Sequence, residues 1–169
     1  MPENCDEMGN TKNNQTGGTV ILPLEADDLP EVMEIWLTVN QEVHDFVSAS
    51  YWQANYAAVQ RAIAEAEVYC WKPAETPVGF IGLIGDYVAG LFVRPEWRGH
   101  GVGRSLLALA QRKKPRLRLH VYRKNQSALA FYIRQGFAVT GSILEPVTGE
   151  TALIMQWENK DYISKSIEE

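Results

Sequence analysis

Cysteine is scarce in this chain: two in 169 residues, Cys5 in a polar stretch and Cys70 in an apolar one. So few thiols in such unlike settings exclude a disulfide framework and point to a reducing compartment, the cytoplasm. Long apolar runs are missing as well. Nothing approaches the roughly 18 consecutive apolar residues that read as a membrane span, so no membrane partner is expected. Met1 to Gly18 is rich in Asn, Gly and Thr and lacks the apolar segment of a signal peptide, so residues 1–18 read as a disordered tail.

With 46% apolar and 22% charged residues, the chain suits one domain with a sizeable core, placed at 19–158 and followed by a C-terminal tail at 159–169. Net charge is −5 but uneven: Arg94 to Lys124 carries ten Lys or Arg against Glu96 alone, a net +9, which leaves −14 on the remainder. A basic stretch can bind nucleic acid, and Arg112–Arg118 can equally be a solvated helix face. Overall acidity and a glycine-rich turn inside the stretch favour a small phosphate-rich ligand, with no nucleic acid. The acidic remainder would attract a cationic amine.

That turn reads Val93-Arg-Pro-Glu-Trp-Arg-Gly-His-Gly-Val-Gly-Arg-Ser-Leu-Leu107, a strand end running into an amphipathic helix. Gly99, Gly101 and Gly103 clear side chains from the backbone, and Arg98 and Arg104 bracket them. A helix starting there aims unpaired N–H groups and its positive dipole end at an anion. Two familiar phosphate cradles fail on spacing. A P-loop requires glycine where Arg98 stands and lysine where Arg104 stands. A dinucleotide fingerprint begun at Gly99 or Gly101 finds Arg104 or Leu106 in place of its third glycine, with Lys113, Lys114, Arg116 and Arg118 where its acid belongs.

R-x-x-G-x-G does fit, through Arg98, Gly101 and Gly103, and a second block follows: Leu117-Arg-Leu-His-Val121, Asn125, Ala128, Phe131-Tyr132 and Gly136-Phe137. Together the blocks resemble the GNAT superfamily of acyl-CoA N-acyltransferases over Val20 to Trp157, most sharply over Val78 to Phe137. Ile35-Trp36 with His44-Asp-Phe-Val47 is similar to a group of small bacterial single-domain acetyltransferases. The resemblance implies an α/β (α+β) GNAT-like fold, with a mostly antiparallel, splayed sheet of six to seven strands and about four helices. It also implies acetyl-CoA as co-substrate, no metal, and direct transfer of the acetyl group to a primary amine in a ternary complex. The acceptor would be a small-molecule amine or a peptide or protein amine, and the enzyme a monomer or homodimer. A non-catalytic acyl-CoA sensor is the alternative; it would require neither proton donor nor base.

The local pattern predicts the order β-α-α-β-β-β-α-β-α-β-β. Strands are expected at Thr19–Leu24, Val68–Lys72, Val78–Ile84, Tyr87–Val93, Leu117–Val121, Phe137–Leu144 and Thr151–Trp157. Asp27-Asp28 and Pro30 open a helix running towards Asn40, and Ser48 or Ser50 could cap a second whose aromatic stripe reads as core. The third helix stops at Pro115, and a fourth covers about Gln126 to Gln135.

In the resembled fold the fourth and fifth strands part, and the cofactor lies in the notch. The residues expected to hold it are Leu91, Phe92 and Val93, then Arg98, Gly99, His100, Gly101, Val102, Gly103, Arg104 and Ser105. Asn125, Ala128 and Phe131 complete the set. The backbone of Leu91 and Val93 would pair with pantetheine amides, and the His100 ring would face solvent. Tyr132 matches the tyrosine that protonates the leaving thiolate, the alternative being a core aromatic. Asn125 caps its helix, contacts the cofactor, or both. Strand alternation puts Leu117, Leu119 and Val121 on one face and His120 on the other, near the notch, as a base or a structural histidine. His44, Asp45, Phe46, Tyr51, Trp52 and Glu145 are expected to bind the acceptor, although His44-Asp45 could simply end a helix.

Overall fold

Proline and glycine mark where the elements begin and end. The computed structural model describes residues 20–162, so the 1–18 tail, Thr19 and 163–169 lie outside the described residues. Strand β1 (Val20–Pro23) leads to helices α1 (Leu29–Val43) and α2 (Ala49–Glu65), then strands β2 (Glu67–Lys72), β3 (Gly79–Ile84) and β4 (Tyr87–Val93). Helix α3 (Val102–Lys113), β5 (Arg116–Tyr122), α4 (Gln126–Arg134), β6 (Ala138–Leu144) and β7 (Thr151–Glu158) complete the expected order. Pro30 sits in the first turn of α1, where its missing N–H has no partner to lose. Lys114 is extended ahead of Pro115, which closes α3. No described helix is long and apolar enough to cross a membrane.

Several strand ends shift by one residue from expectation, and one helix boundary shifts further. Helix α1 runs past Asn40 to Val43: the His44 N–H still donates to Asn40 O (3.0 Å), and the Asn40 side chain donates to Trp36 O (2.8 Å), so the polar side chain is satisfied within the helix.

The strands form one sheet in the order β1-β2-β3-β4-β5-β7-β6, antiparallel throughout except at β4–β5. That parallel pair is joined as a ladder only at its start, where Tyr87 faces Arg118. The Arg118 N–H donates to Asp86 O (3.0 Å), and Arg118 Nε donates to Asp86 Oδ1 (2.9 Å). Beyond this closed end β4 and β5 diverge and leave a notch. A register shift bends β4 beside it: Gly82 faces Gly90 and Leu83 faces Val88, so Ala89 is a bulged extra residue.

Alternation along the strands sorts the core onto two faces. Ile81, Leu83, Leu117, Leu119 and Val121 pack with α3 and α4 residues such as Leu106, Leu107 and Tyr132. Val68, Cys70 and Phe80 face the other way, against Val32, Met33, Ile35, Trp36 and Trp52 of α1 and α2. Hence α3 and α4 cover one face, α1 and α2 the other, and the notch opens between them.

Candidate active site

The two banks of the notch bound a cleft of about 780 Å³. On the β4 bank, the Arg94 N–H turns to Val78 O (2.9 Å) in the neighbouring loop. Because alternate residues of a strand present N–H and C=O to the same neighbour, Phe92 faces β3 while Leu91 and Val93 present theirs to the notch. These are the two residues expected to pair with pantetheine amides.

At the end of that bank, Gly99 (φ 74°) and Gly101 (φ 81°) adopt left-handed backbone, and a Cβ at either would meet no atom within 4 Å. Their glycine requirement is therefore conformational, and the space over the turn is open. Gly101 is the N-cap of α3, and the Ser105 N–H makes the first bond of the helix, to Gly101 O (3.0 Å). The N–H groups of Val102, Gly103 and Arg104 precede that bond and have no acceptor within the helix, so they suit a phosphate. Arg98 and Arg104 line the cleft. Arg98 donates to Glu42 Oε1 of α1 (2.8 Å) and from Nε to Val93 O (3.3 Å). A solvent-exposed pair of this kind is worth about 0–1 kcal/mol, so a pyrophosphate can displace it at small cost.

Asn125 Oδ1 accepts from the Ala128 N–H (3.2 Å) and caps α4. Asn125, Ala128, Phe131 and Tyr132 all line the cleft. Tyr132 is buried edge-on against Phe131 and Phe137, and its hydroxyl has no hydrogen bond among the described residues. Burial, and secondarily the Tyr87 phenol, push its pKa above the ordinary tyrosine range. A phenol held protonated is suited to giving a proton to a leaving thiolate.

His120 sits opposite, on the α1/α2 side of β5, exposed and edge-on to the Tyr87 ring (centroids 5.5 Å apart). Leu117, Leu119 and Val121 are buried on the opposite face, as alternation requires. Glu145 stands at the base of the β6–β7 turn, where its N–H donates to Glu150 O (2.8 Å). Its carboxylate lies near enough to the Tyr87 and Tyr122 phenols to reinforce the upward pKa shift that burial gives both. Glu145 lines the cleft and forms no ion pair among the described residues.

His44, Tyr51 and Trp52 line the same mouth. Four predicted residues do not join the cleft wall. Asp45 is exposed at the tip of the α1–α2 turn, which the Val47 N–H closes onto His44 O (2.9 Å), so the turn carries it outward. Phe46 packs behind the wall, edge-on to His44 and Tyr122. The Ser105 N–H is committed to the helix. His100 is exposed and bonds Arg98 O through Nδ1 (2.9 Å), holding the turn from outside.

Trp36, Asn40, Tyr87 and Tyr122 also line the cleft, and the sequence reading did not place them there. Asn40 carried a signal: it is a polar residue at helical spacing between Trp36 and His44, within an otherwise apolar stripe. Among the described residues no group of three or more His, Cys, Asp or Glu could hold a metal ion.

Residues 60–139 match the family described as "Acetyltransferase (GNAT) domain". The peptidyl-lysine N-acetyltransferase YiaC of Escherichia coli (strain K12) is 32% identical over 140 residues, which span 82% of this chain and 96% of that one. The chain belongs to the GNAT acetyltransferases. The apo form of YjaB from Escherichia coli, solved in solution, has the same GNAT architecture, with a TM-score of 0.74 at 31% identity over 82% of this chain and 97% of that one. YncA from Salmonella typhimurium, solved with its cofactor acetyl-CoA, shares the GNAT fold, with a TM-score of 0.59 at 18% identity over 83% and 93% of the two chains. As a GNAT enzyme, this protein is an acetyl-CoA-dependent N-acetyltransferase, and the open glycine turn and the free backbone of β4 fit that co-substrate.

Proposed function

We propose that this N-acetyltransferase moves the acetyl group directly to an amine of a peptide or protein, a lysine side chain in particular, within a ternary complex. The reading rests on one arrangement: a notch through the sheet with the Tyr132 phenol on one face and the His120 imidazole on the other. The turn Arg98–Arg104 holds the pyrophosphate, and Leu91 and Val93 hold the pantetheine amides, with Asn125, Ala128 and Phe131 beside them. The α1/α2 side admits the amine past Tyr51 and Trp52, with Glu145 as counter-charge to its ammonium. His120 takes the proton, directly or through water. The neutral amine attacks the acetyl carbonyl; as the tetrahedral intermediate collapses the C–S bond breaks, Tyr132 protonates the sulfur, and the nitrogen's surplus proton passes to solvent water, which reprotonates the phenolate.

A mouth lined by aromatic rings, with the Glu145 carboxylate beside them, suits a cation at the end of an aliphatic arm, which is the chemistry of lysine. The names of relatives such as YiaC, a peptidyl-lysine N-acetyltransferase, support the same class. Acetyl-CoA turnover is to be measured on a lysine peptide with a blocked N-terminus, a peptide with a free N-terminus and no lysine, and small diamines. Acetylation of the lysine ε-amine, located by mass spectrometry, is expected. Turnover confined to the N-terminal amine or to the diamines overturns the lysine assignment.

A further inference from the structure

The closed end of the notch is pinned by Asp86 and Arg118. The open end has a different tie, made by a histidine. His44, the C-cap of α1, belongs to the layer packed on β1–β4, and Asn125 heads α4, which follows β5. His44 Nε2 lies 3.2 Å from Asn125 Nδ2 and His44 Nδ1 lies 3.0 Å from Asn40 Oδ1.

Two backbone anchors decide the direction of both bonds. Asn40 Nδ2 is spent on Trp36 O, so its oxygen faces His44 and Nδ1 must donate. Asn125 Oδ1 is spent capping α4 at the Ala128 N–H, so its amide nitrogen faces His44 and Nε2 must accept. The imidazole is thereby held neutral, in the Nδ1–H tautomer. Burial acts the same way and lowers its pKa to about 4. The ring also stacks on Trp52 (5.4 Å, 28°) and meets Tyr122 edge-on (5.1 Å). With both nitrogens committed, the ring is poorly placed to remove a proton from a substrate.

We propose that His44 is a positioning residue for acetyl transfer: it straps α1 to the N-cap of α4 across the open end of the notch. In this role it sets the bank that carries Tyr132 and the aromatic wall formed by Trp52 and Tyr122. The inference rests on the acetyl-transfer reading above and reassigns His44 from amine ligand to strap.

The test compares His44→Asn, whose amide can still reach Asn40 but falls short of Asn125, with His44→Gln, whose side-chain oxygen replaces Nε2 as the acceptor. Displacement of a catalytic group by about 1 Å can lower rate on the order of 100-fold. His44→Asn is therefore expected to lower kcat tenfold or more, with acetyl-CoA affinity within about threefold of wild type; His44→Gln should restore most of kcat. The acidic limb of the pH–rate profile should stay in place in both variants. Wild-type kcat in His44→Asn overturns the proposal, as does a loss common to both variants in which the acidic limb vanishes, since His44 would then be the base.

Should His44→Asn fail to fold, Asn125→Asp retains the α4 cap and sets a carboxylate oxygen against Nε2. The His44 titration followed by NMR should then move up from about 4. An unmoved titration overturns the strap. The NMR readout needs no turnover, so an inactive wild-type enzyme would defeat the functional reading and still leave the strap testable.

Discussion

Tyr132 and His120 differ in burial, and the difference suits opposite tasks. Tyr132 is 8% exposed with its phenol pKa raised, so it stays protonated throughout the working pH range. His120 is exposed at the other face, where water can relay a proton to it. Removing the Tyr132 hydroxyl should act on the leaving thiolate and little on ground-state binding. Tyr132→Phe is therefore expected to lower kcat by at least tenfold, since general acid help is typically worth about 10²–10⁴-fold. Acetyl-CoA affinity from calorimetry should stay within about threefold of wild type, the pattern of an interaction made in the transition state. His120→Ala should also slow turnover near neutral pH. A pH–rate profile should show recovery as rising pH deprotonates the amine unaided; a loss equal at every pH would make His120 structural.

At the scale of elements, the turn before α3 illustrates why a glycine can be required where nothing crowds it. Gly101 caps α3 at φ 81°, with open space where a side chain would go. Left-handed backbone costs an L-residue about 1–2 kcal/mol, so Gly101→Ala should lower stability by that amount in urea titration. It should also weaken acetyl-CoA binding, because relaxing the turn redirects the N–H groups of Val102, Gly103 and Arg104. Gly103 differs: a Cβ there would make ordinary contact with Phe131 (3.6 Å) and Val93 (3.7 Å). It should tolerate alanine in folding, and any loss of ligand binding there would report close approach by the ligand.

Across the whole molecule, two half-sheets share a single backbone pairing, at Tyr87 and Arg118, and the tie at the other end runs through His44. A ligand seated in the notch touches both halves. Acetyl-CoA at about 100 times Kd should stabilise the fold by about 2.7 kcal/mol. For a chain of this size, that raises Tm by about 5–10 °C in differential scanning fluorimetry.

The strap also makes the fold acid-sensitive. His44 has a folded-state pKa of about 4 against an ordinary 6.5, so the unfolded chain binds the proton more readily. Its contribution is complete above pH 6.5 and is lost as pH falls through the window from 6.5 to 4. The urea midpoint of the wild type should fall more steeply across that window than that of His44→Gln. Parallel curves would mean that His44 is not held neutral.

Much of this was legible in the residues alone, for a local reason. The strand alternation of Leu117 to Val121, the glycine turn from Gly99 to Gly103 and the Asn125 cap each depend on neighbours within a few positions. Backbone sterics and periodicity act over that range. Tertiary structure decided what depends on distant partners. His44 and Asn125 lie 81 residues apart, and Arg98 and Glu42 lie 56 apart. Asp45 and Phe46 directly follow His44 in sequence, yet one turn of backbone sends Asp45 to solvent and Phe46 behind the wall. A motif states which chemistry is available at a position; the packing of α1 across a parted sheet decided which side chains line the cleft and which lie outside it.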